Sequence, residues 1–284
     1  MGSRNCRSRV GAWRDNCYSG LTPFTQETIF GSRNDTIYDS ASQMDQETGG
    51  RSAASAINAT ARYVRRSAQA IRTRGERIGE PIGVRHSERL ALSEWAALNG
   101  RQLSFSYIEQ FRPVGSGAEH RVYHDQARGL AIKATHTNRF GHSTYGEGVQ
   151  ATPSEYLRRL AWCNLLFGDA YAIIGIAFDD EQQIEVVCSQ PWIVSHPIRP
   201  VPFENEIDSY FHGFGFLRSP LNPDAPVFYH LGFNLIVTDA HDNNILRDSN
   251  GNLAAIDVVV GTPGPSPYSE LRAAFKFASK IVHL

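Results

Sequence analysis

The sequence predicts an α+β fold, and three observations carry that expectation. Two short β-type runs, Arg121-Val122-Tyr123 and Leu130-Ala131-Ile132-Lys133, face each other across a turn at Asp125–Gly129. Thr152-Pro153-Ser154-Glu155 then reads as a capped helix start, with Thr as cap, Pro in the first turn and Glu three residues on. Two more β-type runs, Tyr171–Phe178 and Ile184–Val187, flank the turn Asp179-Asp180-Glu181. With 284 residues, of which 41% are apolar, the chain has room for one large domain and an appendage.

Taken in order, residues 1–50 show neither helical nor strand periodicity and are rich in polar residues, so they read as a disordered arm. Residues 51–86 change character. Ile57, Ala61, Val64, Ala68, Ile71 and Ile78 keep a 3/4 spacing, while Arg62, Arg65, Arg66, Arg72, Arg74 and Arg77 fill the other faces. That is a basic amphipathic helix. A compact domain follows over 87–284. It opens on a helix from Ser87, its expected cap, to Leu98, stopped by Asn99-Gly100.

The helix begun at Thr152 shows Leu157, Ala161 and Leu165 on one face and ends at Gly168. Pro191, Pro197, Pro200 and Pro202 make the stretch after the fourth strand a loop, and a helix from about Glu204 to Phe214 follows. Leu235–Val237 and Leu253–Ile256 are short apolar strands around the turn signal Asp248-Ser249-Asn250-Gly251. A last helix is expected from about Tyr268 to Ile281.

Charge is unevenly spread. Residues 1–85 hold 13 arginines against 8 acidic residues, and 86–284 hold 15 basic against 21 acidic. The arginine helix over 53–78 therefore has two candidate partners, a nucleic acid or the chain's own acidic remainder. No apolar run of about 18 residues is present, so no membrane span is expected. The first twenty residues lack the apolar core of a secretory signal. Four scattered cysteines form no CxxC pair, which argues against a disulfide or zinc scaffold and suits a cytoplasmic location.

Four pieces could carry chemistry. Val114-Gly115-Ser116-Gly117 opens a hairpin through Val122, and glycines there let backbone amides approach a phosphate closely; the next glycine of a G-x-G-x-x-G pattern is replaced by His120. Lys133 follows on the paired strand, pointing to the opposite face from Ile132. Glu155 opens the next helix, where it could pair with Lys133; a capping box explains it equally well, and Glu147 is a weaker alternative. The most specific piece is Asp239-Ala240-His241-Asp242-Asn243-Asn244. Asp239 and Asn244 stand five apart, and Asp257 follows thirteen residues later. One carboxylate can meet an attacking hydroxyl while an amide oxygen and a second carboxylate hold Mg²⁺ against phosphates.

In this order the pieces resemble the protein-kinase-like superfamily. The D-x-H-x-x-N loop is similar to those of aminoglycoside phosphotransferases and bacterial toxin kinases. Glu155-Tyr156-Leu157, Asn164–Asp169, Ser189-Gln190-Pro191, Glu206-Ile207 and Gly213–Phe216 are closer still to the polyvalent protein kinase domain of phages and conjugative elements. The resemblance spans about residues 105–262. It implies a bilobal fold, with a small antiparallel N-lobe sheet and a shortened helical C-lobe, preceded by a helical or partly disordered arm.

The resemblance also implies an ATP- and Mg²⁺-dependent phosphotransferase, possessing an acceptor that the residues do not name. Lys133 would bind the nucleotide phosphates, with Gly115, Ser116, Gly117 and Val122 around it and Ser189-Gln190 at the adenine hinge. Asp239 would orient the nucleophile, Glu155 would support Lys133, and Asn244 and Asp257 would hold the metal. The chain departs from the common pattern at Val237-Thr238 before Asp239 and at Val258-Val259 after Asp257. Two other readings stand beside the enzyme. One is a nucleotide-binding pseudokinase or interaction module; the other is a nucleic-acid-associated protein using the arginine helix.

Overall fold

The computed structural model describes residues 49–77, 82–144, 149–219, 226–230 and 232–263. The arm over 1–48, Ile78, Glu147 and the closing helix expected from Tyr268 lie outside the described residues.

Helix α1 (Gly49–Arg77) buries Ile57, Ala61, Val64 and Ala68 of the 3/4 stripe read from the sequence, leaves Ile71 half-buried, and adds Ala54 at the stripe's N-terminal end. Three of the five buried residues are alanines, which let backbones approach closely. The stripe packs on α2 (Val84–Leu98) and on α3 (Pro153–Phe167). Arg65, Arg66, Arg74 and Arg77 stay exposed on the far side. Ser87 is not the α2 cap: Gly83 holds that place, and the helix starts three residues earlier than expected. Buried Ser87 instead donates to the Val84 carbonyl and accepts from Arg72, tying α1 to α2.

The larger sheet has six strands in the order β1-β5-β6-β4-β3-β2. They are β1 (Gln102–Ser104), β2 (Arg112–Ser116), β3 (His120–Asp125), β4 (Leu130–Thr135), β5 (Ala172–Phe178) and β6 (Ile184–Pro191). Five run antiparallel, as expected. The sixth, β1, adds a parallel edge beside β5 that the sequence did not announce. Gly175 permits it, because a Cβ there would collide with the Arg101 carbonyl and stand 2.8 Å from Leu103 Cγ. Strand β6 also runs past its expected end at Val187, so Ser189 and Gln190 sit in a strand.

Alternation sorts the sheet into two faces. Ile132, Ala134, Ala177 and Val187 pack on Ile108 from the 3₁₀ turn Phe105–Gln110, forming an outer core. Ile108, Ile132 and Val187 each contribute roughly 1.5–3 kcal/mol by leaving water, and the two alanines less. Lys133, between Ile132 and Ala134, points the other way. Helix α3 starts at the capping box that the sequence predicts, and its C-cap Gly168 takes φ +72°. A second acceptor secures its N-terminus: the Ser154 N–H and hydroxyl both donate to buried Glu88 of α2, at 2.9 Å each.

The lower lobe holds α4 (Glu204–Gly213) and a four-stranded sheet, ordered β12-β9-β8-β7. Its strands are β7 (Leu217–Arg218), β8 (Phe228–His230), β9 (Leu235–Thr238) and β12 (Val259–Gly261). Between β9 and β12 runs a hairpin of β10 (Ile245–Arg247) and β11 (Leu253–Ala255), closed by the Asp248–Gly251 turn. Strands β7, β8 and β12 are additions to the sequence reading. Phe167, Tyr210, Phe211, Phe214, Phe216 and Phe228 pack edge-to-face or tilted where α3 meets this lobe. The result is the bilobal α+β arrangement that the resemblance implies.

Candidate active site

Lys133 is placed by register. It pairs with Val122 on β3 and Cys188 on β6, so those side chains share its face. Lys133 is 4% exposed, and its ammonium lies 3.5 Å from Asp257 Oδ1. It also donates to the Tyr171 hydroxyl at 3.2 Å and to the Ile256 carbonyl. The Tyr171 hydroxyl donates to that same carbonyl at 2.7 Å. The segment before Asp257 is thereby held under the upper sheet.

Asp257 lies between β11 and β12. Burial pushes its carboxyl up, but His120, Lys133 and Arg159 outweigh that and hold it well below the usual carboxylate range. It is ionised at neutral pH. Asn244 is brought beside it by the β10–β11 hairpin, where the Ile256 N–H donates to the Asn244 carbonyl at 2.9 Å.

Asp239 adopts φ +56°, a conformation that costs a non-glycine residue energy and is concentrated at functional sites. The Asn244 side-chain N–H groups donate to Asp239 Oδ2 at 2.9 Å and to its carbonyl at 2.8 Å. His241 Nε2 stands 3.2 Å from Asp239 Oδ1. Asp239, His241 and Asn244 therefore form one bonded group. With Nδ2 of Asn244 committed to Asp239, its Oδ1 remains as an oxygen of the kind a hard cation prefers.

At the glycine turn, Gly115 pairs with Val122 and Ser116 with Arg121, and the Gly117 N–H donates to the His120 carbonyl at 2.8 Å. A Cβ on Gly115 would meet nothing within 4 Å, so protein packing does not demand the glycine. At the expected hinge the two residues separate. Ser189 pairs with Ile132 and faces the outer core; Gln190 pairs with Ala131 on the Lys133 face. Buried Gln190 Oε1 has no hydrogen-bond partner, an orphan acceptor that a bound molecule could satisfy.

Glu155 is not brought to Lys133. Its Oε2 accepts from the Thr152 N–H at 2.7 Å, and its own N–H donates to Thr152 Oγ1 at 3.4 Å. The local cap takes the carboxylate because its partner is already within reach when the helix forms. Glu155→Ala is expected to cost about 1 kcal/mol in chemical denaturation. Nucleotide affinity of the folded variant should stay unchanged; a fall would reinstate the pairing with Lys133.

The sequence reading passed over Glu119, Arg159, Tyr156 and Tyr171 as site residues. The structure places all four around Lys133 and Asp257, with His120 among them. Their signal was weak, since a buried arginine breaks the apolar periodicity by which a helix face is recognised. Glu119 and His120, however, stand inside the glycine turn itself.

No curated protein matches this chain. The serine/threonine/tyrosine kinase found in polyvalent proteins does match, over residues 85–262, from α2 to the end of β12, and that span contains Lys133, Asp239, Asn244 and Asp257. The chain belongs to that kinase family.

Proposed function

We propose that the protein is an ATP- and Mg²⁺-dependent phosphotransferase. The observation that carries this reading is the Lys133–Asp257 ion pair between the upper sheet and the lower lobe, at 3.5 Å. It joins a phosphate-binding cation to a metal-binding carboxylate. Lys133 binds the nucleotide phosphates under the Gly115-Ser116-Gly117 turn, with Val122 on the same face. The orphan Oε1 of Gln190 suits an amino donor of a nucleobase, and Ser189 contributes backbone beside it. Asn244 and Asp257 offer an amide oxygen and an ionised carboxylate, a donor set that fits Mg²⁺. The bound ion would neutralise charge on the transferring phosphate. Asp239 orients the acceptor hydroxyl and takes its proton.

Incubating the full chain with γ-labelled ATP and Mg²⁺, followed by intact-mass analysis, tests this directly. Label on the chain or an added acceptor supports it. Binding without transfer would favour the pseudokinase reading, and no binding would remove both. Two variants sharpen the assignment. Lys133→Ala should weaken ATP binding with or without metal. Asp257→Asn should raise the Mg²⁺ needed for half-maximal ATP binding by about 10-fold or more, the scale of losing one charged contact. Equal metal dependence in Asp257→Asn and wild type would contradict its role.

A cytoplasmic setting suits two cysteines, Cys163 and Cys188, that are buried and free. Among the described residues no helix is long and apolar enough to cross a membrane. The nucleic-acid reading stands behind both the phosphotransferase and the pseudokinase. Helix α1 spends its apolar stripe on α2 and α3, leaving exposed arginines as the surface such a partner would meet.

A further inference from the structure

In kinases generally, a helix glutamate pairs with the strand lysine and makes the site depend on helix position. Here that acid is a cap, and the face that α3 turns toward the sheet carries Tyr156 and Arg159. Arg159 Nη1 and Nη2 donate to Glu119 Oε1 and Oε2 at 2.9 and 2.6 Å, a two-point contact between buried groups. The His142 N–H donates to Glu119 Oε1 at 2.5 Å. Gly141 makes room for that carboxylate: it sits at φ +75°, and a Cβ there would stand 2.7 Å from Glu119 Oε1. Glu119 is thus fixed from α3 on one side and from the Gly141 loop on the other.

Its neighbour His120 is 2% exposed. The ring bridges two lobes: Nε2 lies 2.9 Å from the Tyr156 hydroxyl and Nδ1 lies 3.3 Å from Asp257 Oδ2. With the Tyr156 O–H donating to Nε2, the Nδ1–H is left to donate to the Asp257 carboxylate. Nδ1 is equally 3.3 Å from Asp257 Oδ1, the oxygen that Lys133 approaches at 3.5 Å. Glu119, His120 and Asp257 offer ligand atoms within 4.8 Å of one another. Arg159 already occupies both Glu119 oxygens, which stand no nearer than 4.0 Å to His120 Nδ1, so the three are not a cation cage; the hydrogen-bonded relay runs from Tyr156 through His120 to Asp257.

We propose that His120 is the positioning residue for Asp257, and that α3 controls the metal-binding carboxylate through Tyr156, Arg159 and the glycine turn in place of a helix glutamate. This rests on the phosphotransferase reading above. It also makes the glycine turn part of the control, because the residues that hold Asp257 belong to the loop that would cover the phosphates. Outer groups that orient a metal ligand typically change metal affinity by about 10–100-fold when removed.

The test is calorimetric ATP binding by the full chain across a Mg²⁺ series and in EDTA, with thermal unfolding alongside. His120→Ala should raise the half-saturating Mg²⁺ by about 10-fold while ATP binding in EDTA stays at the wild-type value. His120→Asn, whose amide can still donate to Asp257, should recover most of that loss. Tyr156→Phe removes one hydroxyl and should shift half-saturation by about threefold. In the His120→Ala background it should shift nothing further, since the relay is already broken. A lowered melting temperature with unchanged Mg²⁺ dependence would make His120 purely structural and overturn the proposal, as would additive effects of the two changes. Should His120→Ala fail to fold, His120→Asn and Tyr156→Phe still decide: wild-type Mg²⁺ dependence in Tyr156→Phe overturns the relay. A wild-type chain that binds no Mg·ATP would overturn the functional reading and this inference with it.

Discussion

Asp239→Asn is expected to leave Mg·ATP binding intact and to cut phosphoryl transfer by about 10²-fold or more, the usual loss on removing a general base. The variant is unusually clean at this position. Asp239 sits at φ +56°, and asparagine tolerates that backbone as well as aspartate does, whereas alanine would add strain to the chemical change. The amide oxygen of an asparagine can still accept from Asn244, whose Nδ2 lies 2.9 Å from Asp239 Oδ2. What disappears is the charge, and with it the ability to take the acceptor's proton. Asn244, which would share the metal, keeps its contacts to the backbone carbonyl and to the retained oxygen at 239, and Lys133 and Asp257 lie in a separate bonded group, so Mg·ATP binding should persist. Calorimetry with Mg·ATP and labelled-phosphate transfer on the same preparation give the two readouts. Full transfer by the variant would remove the catalytic role of Asp239; loss of nucleotide binding would move Asp239 into the metal site.

How much of this was legible in the sequence depended on whether the deciding interaction was local. The start of α3 was, since Thr152, Pro153 and Glu155 act within one turn, and the structure shows that box closed. The β3–β4 hairpin was, because its turn and both strands lie within a few residues. The Lys133–Asp257 pair joins residues far apart: the spacing from Asp239 to Asn244 to Asp257 marked Asp257 as a motif residue, but the sequence offered Glu155 as the partner of Lys133. Strand β1 was not legible. It pairs Gln102 with Ile176, and the permission lies in Gly175, whose missing Cβ has meaning only beside Arg101. Glu155 illustrates the opposite difficulty. Sequence allowed a local cap and a remote ion pair equally, and the contact available first in space took the carboxylate. The Arg159–Glu119 pair escaped because both residues read as surface groups until their partners are known.

That buried pair sets the largest stability effect expected in the molecule. Arg159 is 4% exposed and Glu119 6%, so neither charge has water to fall back on. Arg159→Met keeps length and apolar bulk but strands the Glu119 carboxylate beside Asp257. Breaking a buried pair from one side typically costs about 3–5 kcal/mol, a large share of the roughly 5–15 kcal/mol that holds a domain folded. Glu119→Gln combined with Arg159→Met should recover most of it, because no buried charge is then left unpaired. Acidity separates this explanation from simple mispacking. In the wild type, burial pushes the Glu119 carboxyl up and Arg159 more than reverses the push, leaving it below its ordinary value of 4.5. The stability it contributes is therefore present at neutral pH and lost as pH falls through that lowered pKa. Without Arg159, burial and the nearby Asp257 charge push the carboxyl up against only the weaker pull of His120. The variant's penalty is then full above the raised pKa and fades as pH drops toward the ordinary carboxylate range, where the stranded group takes up a proton. The gap between wild type and Arg159→Met in urea unfolding should accordingly narrow from pH 7 to about pH 4. A gap independent of pH, or a double variant no more stable than Arg159→Met alone, would mean that Arg159 acts through shape and not through its charge.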